Sequence, residues 1–244
     1  MRLIRLYLPM TWSKVGQSMP LPDDAKHYIT TVLRARDGFS ITLFDGKGQT
    51  AQATLQLGKK TADVLINCIA TDTSKESPLQ LILAQGISRG ERMDTSLQKA
   101  TELGVSEIQP LFTQYTEVKL EDEDKTAKRM AHWQQVIVSA CEQSGRNVVP
   151  RLHTPLTLAE WLETKPQGLV LDPYRGERIR TLSTERFTQP QAMLVGPEGG
   201  LSDKEVDSAI QTGLTPIQLG SRILRTETAG PACITAVQTC FGDM

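Results

Sequence analysis

The chain has 244 residues, of which 39% are hydrophobic and 23% are charged, and its formal net charge is −1. This composition is ordinary for a globular protein, and the length permits one large domain or two smaller ones. The net charge alone neither favours nor excludes a nucleic-acid partner. The apolar runs are too short to span a bilayer and the start of the chain resembles no signal peptide, so we expect no membrane partner.

Cysteine and histidine usage gives no sign of a metal or disulfide framework. The four cysteines show no C-x-x-C spacing, and the three histidines are scattered along the chain. We therefore expect no metal site and a reducing, cytoplasmic location. Residues 1–76 contain ten Lys and Arg against seven Asp and Glu, a small excess that favours an RNA-facing N-terminal module.

Residues 1–72 are predicted to be mostly β structure. Short strand-like segments at 39–44, 49–57 and 62–69 are separated by glycine-containing turns, and one helix is predicted near 23–33. Many short strands in so short a segment favour a small β-barrel. Its candidate phosphate contacts are Arg2, Arg5, Arg34 and Arg36, although each could equally be a solubilising surface residue.

A change of pattern marks a second domain. Residues 73–78 are polar, include a proline and lack hydrophobic periodicity, which predicts a linker. Strand-like and helix-like segments then alternate over 79–244, which predicts an α/β domain with a mainly parallel sheet covered by helices on both faces. A long helix is predicted to begin at the acidic run 121–124. Its stripe of Met130, Trp133, Ile137, Ala140 and Cys141 is read as core.

Two glycine turns organise the second domain. The first elbow, GPEGG at 196–200, ends a short apolar run and precedes Ser202 and Glu205 at capping-box spacing. The second elbow, LGSRILR at 219–225, follows another predicted strand. Either elbow alone could be a tight strand-to-helix turn. Together, at the strand ends of one sheet, they predict a crevice where a small ligand meets main-chain groups.

The polar residues around the elbows have several possible roles. Neither G-x-G-x-x-G nor G-x-x-x-x-G-K-[ST] occurs, so no dinucleotide or P-loop triphosphate site is predicted. Clusters at 88–92 and 142–147 are explained equally well by helix capping and by RNA contact. The arginines that flank the second elbow are better candidates for contact beside a ligand. The RNA-contact candidates of this domain are Arg89, Arg146 and Arg222.

Four separated motifs together resemble one family. They are ELGVSEIQPLFT at 102–113, ACEQSGR at 140–146, GPEGG at 196–200 and LGSRILRTETA at 219–229. In this order they resemble the ribosomal RNA small-subunit methyltransferase E family, bacterial enzymes of the SPOUT superfamily that methylate N3 of a uridine in 16S rRNA. The resemblance covers essentially the whole chain. It implies a PUA-like barrel over 1–72, a trefoil-knotted SPOUT domain over 79–244, a homodimer and S-adenosylmethionine as cofactor.

The implied chemistry needs positioning and charge stabilisation, and it needs no metal. An arginine beside the uracil would stabilise charge on its oxygens, and a carboxylate would accept the N3 proton; Arg225 and Glu227 are the candidates. Glu198 is assigned to holding the first elbow in preference to catalysis. The residues assigned to cofactor binding are Leu171, Asp172, Val195, Gly196, Pro197, Glu198, Gly199, Gly200, Leu219, Gly220, Ile223 and Leu224.

Two alternatives stay open at this point: a methyltransferase of the same superfamily with another target, such as a ribose 2′-hydroxyl, and a non-catalytic RNA-binding module. The final helix is also open. Gly230 and Pro231 predict a shifted helix start, with the helix over 232–241. Its apolar residues Ile234, Val237 and Phe241 would suit burial against a second subunit or against the chain's own sheet.

Overall fold

The computed structural model describes residues 4–59, 61–118 and 123–244, which form two compact units. The first unit contains the chain up to Glu76 together with Cys141–Val149, and the second contains Ser77–Ala140 and Pro150–Met244. The sequence did not indicate that 141–149 belongs with the first unit. Arg2 and the predicted helix start at residues 121 and 122 lie outside the described residues.

The first unit is built on a five-stranded sheet with the strand order β1-β3-β4-β5-β2. All its neighbours are antiparallel except β1 and β3, which run parallel. Alternate residues of β4 and β5 are buried, as expected of strands with one face on a core. The elements are β1 Ile4–Tyr7, β2 Ser18–Pro20, α1 Asp23–His27, continued by a π-helical turn Tyr28–Val32, β3 Ser40–Phe44, β4 Gln49–Leu57 and β5 Ala62–Thr71.

The second unit alternates strands and helices, as the sequence predicted. Its elements are β6 Leu81–Gly86, α2 Glu91–Glu102, β7 Glu107–Phe112, α3 Glu123–Ser144 (whose last turn belongs to the first unit), β8 Arg151–Leu152, β9 Leu156–Thr157, α4 Leu158–Glu163, β10 Gly168–Leu171, β11 Gln191–Val195, α5 Asp203–Thr212, β12 Thr215–Ile217 and α6 Thr226–Phe241.

The seven strands of the second unit form one sheet in the order β12-β10-β11-β6-β7-β8, with β9 also paired to β7. Every pairing is parallel, which confirms the predicted α/β class. The central strand β11 is buried along its whole length, and this explains its apolar run 192–195. Within the described residues, no helix combines the length and apolarity needed to cross a membrane.

Helices cover both faces of this sheet because successive strand residues point in opposite directions. On one face, Ala192 and Leu194 share a core with Trp161 of α4 and Ala209 of α5. On the other face, α2 packs beside α6, and Gly230 of α6 lies close to Leu83 of β6. Met93, Leu97 and Ala100 of α2, read from the sequence as core, are all buried. The trefoil knot stays a prediction.

The predicted shift in the start of α6 is wrong. The helix begins at Thr226 and contains Pro231 inside it. The carbonyl of Arg225 accepts the N–H groups of the residues three and four positions later, at 2.9 and 2.8 Å, which closes the first turn before the proline is reached. Pro231 then removes one helical hydrogen bond near the beginning of the helix. The early start also brings Gly230 against the sheet, where a Cβ would be 3.4 Å from Leu83.

The apolar residues of α6 serve the chain's own core. Ile234 and Val237 are fully buried within this single chain. Phe241 stacks on Phe187 with 4.3 Å between the ring centroids. Of the two alternatives for these side chains, the structure supports the one in which they cover their own domain. They are therefore unsuitable probes of a subunit interface.

Candidate functional site

The carboxyl ends of β10, β11 and β12 meet at one edge of the second unit's sheet and open into a cavity of about 510 Å3. Both glycine elbows line this cavity. All the residues predicted to bind a cofactor, from Leu171 to Leu224, are in its wall, together with Arg222, Arg225 and Glu227. The structure thus brings the predicted set together at one place, while the binding role of each residue stays a prediction.

The cavity wall also includes residues that the sequence did not indicate. Arg92 is the most informative, because the sequence analysis singled out its polar cluster 88–92 for helix capping or RNA contact and not for this cavity. Its place in that cluster was a usable signal. The others were not assigned to the cavity, although Thr226 and Ala229 belong to the motif at 219–229 and Asp203 lies within the capping box; they are Pro173, Tyr174, Leu201, Asp203, Val206, Ile217, Thr226 and Ala229.

The first elbow is held by close backbone packing. The N–H of Gly200 donates to the carbonyl of Pro197 at 2.9 Å. A Cβ on Gly196 would lie 2.6 Å from the backbone of Gly200, and one on Gly199 would lie 2.7 Å from Cβ of Tyr115. Both distances are far below normal contact, so these glycines are required by the packing of the protein itself.

Glu198 ties the first elbow to the start of α2. Its Oε1 accepts the backbone N–H of Arg89 at 2.9 Å and a guanidinium N–H of Arg92 at 3.1 Å. Burial raises the pKa of this carboxyl, but the hydrogen bonds from Arg89, from its own backbone and from Arg92 outweigh burial and lower the pKa. Glu198 therefore remains an ionised anchor, in line with its assignment to the elbow.

A buried polar chain joins the first elbow to α6. The amide Nε2 of Gln85 donates to Oγ1 of Thr226 at 2.9 Å, and that hydroxyl donates to the carbonyl of Gly196 at 2.7 Å. Gln85 is fully buried in β6. A lone glutamine in the apolar strand LILAQG was the sequence signal for this contact, and its meaning depends on partners far along the chain.

The loop after β10 forms another part of the wall. The carboxylate of buried Asp172 accepts the N–H of Tyr174 and Nε of Arg175, both at 2.8 Å. Arg175 also donates to Asp207 at 2.8 Å, and its hydrogen bonds to Asp172 and Asp207 raise its pKa. Asp172 thus shapes the loop through both of its oxygens.

The two candidate catalytic residues lie at the start of α6. Arg225 is exposed and occupies the N-cap position, and Glu227 is in the first turn. The side chain of Glu227 is 21% exposed, and its Oε2 is buried without a hydrogen-bond partner among the described residues. Nε of Arg92 is 4.0 Å from that oxygen. Glu227 lines the cavity, and the hydrogen-bonding capacity of this oxygen is unused within the described residues.

The structure argues against an RNA-contacting role for two of the predicted residues, Arg146 and Arg5. Arg146 is 4% exposed, and its Nε and Nη2 donate to Oε2 of Glu76 at 2.9 and 2.7 Å. Arg5 is half-buried, donates to Asn147 at 2.6 Å and lies over the ring of Phe44. Both guanidinium groups are occupied in holding 141–149 within the first unit, so we withdraw them as RNA contacts.

The other predicted RNA contacts are at the surface. Arg34 and Arg36 are exposed on the first unit, and Arg222 is exposed at the second elbow. Arg89 is exposed and forms an ion pair with Glu117. Among the residues that the structure describes, no group of three or more His, Cys, Asp or Glu is arranged to hold a metal ion.

Comparison with known proteins identifies the family. An RNA methyltransferase domain family matches residues 75–238, and an RNA methyltransferase PUA domain family matches residues 21–67. The ribosomal RNA small subunit methyltransferase E of Buchnera aphidicola (Schizaphis graminum) is 34% identical over 100% of this chain and 98% of its own. The chain belongs to the ribosomal RNA small subunit methyltransferase E family. It is an RNA methyltransferase, and a PUA domain precedes its methyltransferase domain, as predicted.

Two solved structures of similar proteins contain a bound cofactor. The family member from Neisseria gonorrhoeae, crystallised with S-adenosylmethionine, is 40% identical, with a TM-score of 0.89. A methyltransferase from Legionella pneumophila, also crystallised with this cofactor, is 38% identical, with a TM-score of 0.92. Each comparison covers 100% of both chains.

The residues around the cavity fit such a cofactor. Gly200 and Gly220 have φ of +73° and +98°, and a Cβ built on either would meet no atom closer than 4.0 Å. These two glycines therefore leave open space beside the main chain, where a ligand can approach the backbone directly. Apolar wall residues such as Leu219 and Leu224 supply contact area, as in most small-molecule sites.

Proposed function

We propose that this protein transfers the methyl group of S-adenosylmethionine to N3 of a uridine in the 16S rRNA of the small ribosomal subunit, in the cytoplasm. The observation that carries the proposal is the single cavity in which both glycine elbows meet Arg225 and Glu227. The family membership supports the substrate, and the cofactor-bound relatives from Neisseria and Legionella support the cofactor.

The chemistry is divided between the two catalytic candidates. S-adenosylmethionine supplies an electrophilic methyl group on a sulfonium. N3 of uracil carries a proton at neutral pH, and Oε2 of Glu227 is the acceptor that we assign to it. The guanidinium of Arg225 is assigned to the uracil oxygens, where negative charge develops as that proton leaves.

Arg92 is the positioning residue of this arrangement. Its guanidinium donates to Glu198 at 3.1 Å, and its Nε lies 4.0 Å from Oε2 of Glu227. It is thereby held by the first elbow and directed at the proposed base. A positive charge at this distance would orient the Glu227 carboxylate without occupying its proton-accepting oxygen.

RNA binding is assigned to exposed arginines on both units. Arg34 and Arg36 would contact phosphates from the PUA domain, and Arg89 and Arg222 from the methyltransferase domain. All four arginines are exposed, so a phosphate oxygen can reach each guanidinium group without rearrangement of the core. Loss of one phosphate contact should lower the salt dependence of RNA binding by about one unit of slope.

We also propose a homodimer built on the outer side of α6. Thr228 and Thr239 are exposed there, and Ala232 and Thr235 between them are half-buried. Small side chains at these positions would let a second helix approach closely. Sedimentation of Thr235→Arg tests the proposal: a shift to monomer is expected, and an unchanged dimer would exclude this face.

The target atom distinguishes the main proposal from its alternatives. A strain that lacks the gene should contain unmodified small subunits, and the purified protein should methylate them with labelled S-adenosylmethionine. Nucleoside analysis of the product should give N3-methyluridine. A 2′-O-methylated nucleoside would support the alternative target, and binding without turnover would support a non-catalytic module.

A further inference from the structure

The loop at residues 172–177 carries an aromatic ring that the fold does not use. Tyr174 is 78% exposed, although it lies in the wall of the methyl-transfer cavity. Its hydroxyl makes no hydrogen bond to any residue that the structure describes. An exposed tyrosine contributes little to folding, because its ring removes almost no apolar surface from water.

The loop that presents this ring is held in place at both ends. The N–H of Asp172 donates to the carbonyl of Ile217 at 3.1 Å, and the N–H of Glu177 donates to that of Pro216 at 3.0 Å. The side chain of Gln218 donates to the carbonyl of Pro173 at 2.8 Å. The loop is therefore fixed along the edge strand β12.

Further contacts fix the loop from inside. Asp172 accepts hydrogen bonds from the N–H groups of Tyr174 and Arg175, and Arg175 is itself bound to Asp207 of α5. Gly176 has φ of +135°, and a Cβ there would lie 2.6 Å from the backbone of Pro216. The exposed ring is thus displayed by a backbone that has little freedom to bury it.

We propose that Tyr174 is a stacking platform for a base of the substrate RNA at the mouth of the cavity. The inference rests on the proposed rRNA methylation. A base must leave its stack to expose N3 to the site, and aromatic rings replace the stacking that it loses. A ring open to solvent can meet a ligand that arrives from solution, whereas the residues assigned to the cofactor lie mostly along the two elbows.

The test measures how methylation depends on the concentration of small subunits, and it measures cofactor affinity on the same protein preparations. Single-turnover methylation of unmodified small subunits, at saturating S-adenosylmethionine, is run for wild type, Tyr174→Phe, Tyr174→Leu and Tyr174→Ala. Leu matches the apolar character of Phe but has no ring. Calorimetry then gives the S-adenosylmethionine affinity of each variant, and sedimentation gives its oligomeric state.

The expected result separates the ring from mere apolar contact. The concentration of small ribosomal subunits that gives half-maximal methylation should rise about 5- to 150-fold in Tyr174→Ala and Tyr174→Leu. In Tyr174→Phe it should stay within about twofold of the wild-type value. Cofactor affinity and oligomeric state should be unchanged in all three.

Three results would overturn the inference. The first is a wild-type half-saturating subunit concentration in Tyr174→Leu. The second is a variant that loses cofactor affinity while its dependence on subunit concentration stays unchanged, and the third is a variant with a changed oligomeric state. If the wild-type protein is active and Tyr174→Ala has the same half-saturating subunit concentration, only this inference is refuted. If the wild-type protein methylates no uridine N3, the proposed function is refuted.

Discussion

The two glycine elbows each follow the end of a strand and lie in the wall of one cavity, yet they are held in different ways. The first, 196–200, is fixed by backbone contacts, by Glu198 bound to Arg89 and Arg92, and by the polar chain from Gln85. The second, 219–225, is mostly exposed, including Ile223 at 70%. The first is a preformed scaffold, and we expect the second to gain order from its ligand.

The largest expected effect comes from overpacking the scaffold elbow. Gly196→Ala would place Cβ 2.6 Å from the Gly200 backbone, so the elbow must shift. We expect a loss of about 1–3 kcal/mol in the free energy of unfolding and no measurable S-adenosylmethionine binding. Gly220→Ala is the matched comparison for stability, because its Cβ meets no protein atom closer than 4.0 Å and its positive φ costs about 1 kcal/mol. It should also weaken cofactor binding, since that Cβ enters the space left for the ligand, so urea unfolding decides between the two variants. A loss of stability in Gly220→Ala equal to that in Gly196→Ala would contradict the distinction between the elbows.

The next largest effect is on catalysis and concerns the second elbow. Arg225→Ala should slow single-turnover methyl transfer by about 100- to 1,000-fold, because it removes one charge-stabilising donor. Cofactor affinity and stability should stay at wild-type values, since the side chain is exposed. Arg222→Ala, also exposed in this elbow, is the control and should alter RNA affinity instead. Wild-type turnover in Arg225→Ala would remove that residue from the mechanism.

Limited proteolysis tests whether the second elbow is ordered by the cofactor. Trypsin should cut after Arg222 and Arg225 in the free protein, as both are exposed. At a concentration of S-adenosylmethionine about 100 times its Kd, cutting there should slow by up to about 100-fold. Arg180 lies outside the cavity wall and serves as the internal control. Equal protection at Arg180 would indicate global stabilisation and not local ordering.

The smallest effect is a pH response of the first elbow. A carboxyl whose pKa falls on folding stabilises the fold above its unfolded pKa, and that stability is lost as the pH drops through the folded value. The pKa of the Glu198 carboxyl is lowered from its ordinary value of 4.5. The stability that Glu198 gives to the first elbow should therefore be level from about pH 8 to about pH 5 and fall only in stronger acid. Because the first elbow lines the cavity, we expect cofactor affinity to follow the same profile.

Glu198→Gln provides the check on that response. It should weaken S-adenosylmethionine binding about fivefold, or about 1 kcal/mol, at every pH where wild type is level. It should also remove the decline in acid. A decline that persists in Glu198→Gln would show that another group is responsible.

Much of the site was readable from sequence because its signals are local. The capping box at Ser202 and Glu205 was predicted and is present, with both of its hydrogen bonds formed. The strand 49–57 has the predicted bounds. Turn glycines, caps and apolar periodicity depend on residues within a few positions of one another, so a single sequence contains them in full.

The tertiary structure decided everything that depends on distant partners. Arg146 looked like a surface contact until Glu76, seventy positions earlier, was found to bind its guanidinium. Arg92 gained its meaning only when β11 brought Glu198 beside it. Sequence determined where strands end and glycines turn, because local sterics control backbone shape. Which side chains meet across those turns depends on strand order and close packing, which only the folded chain specifies.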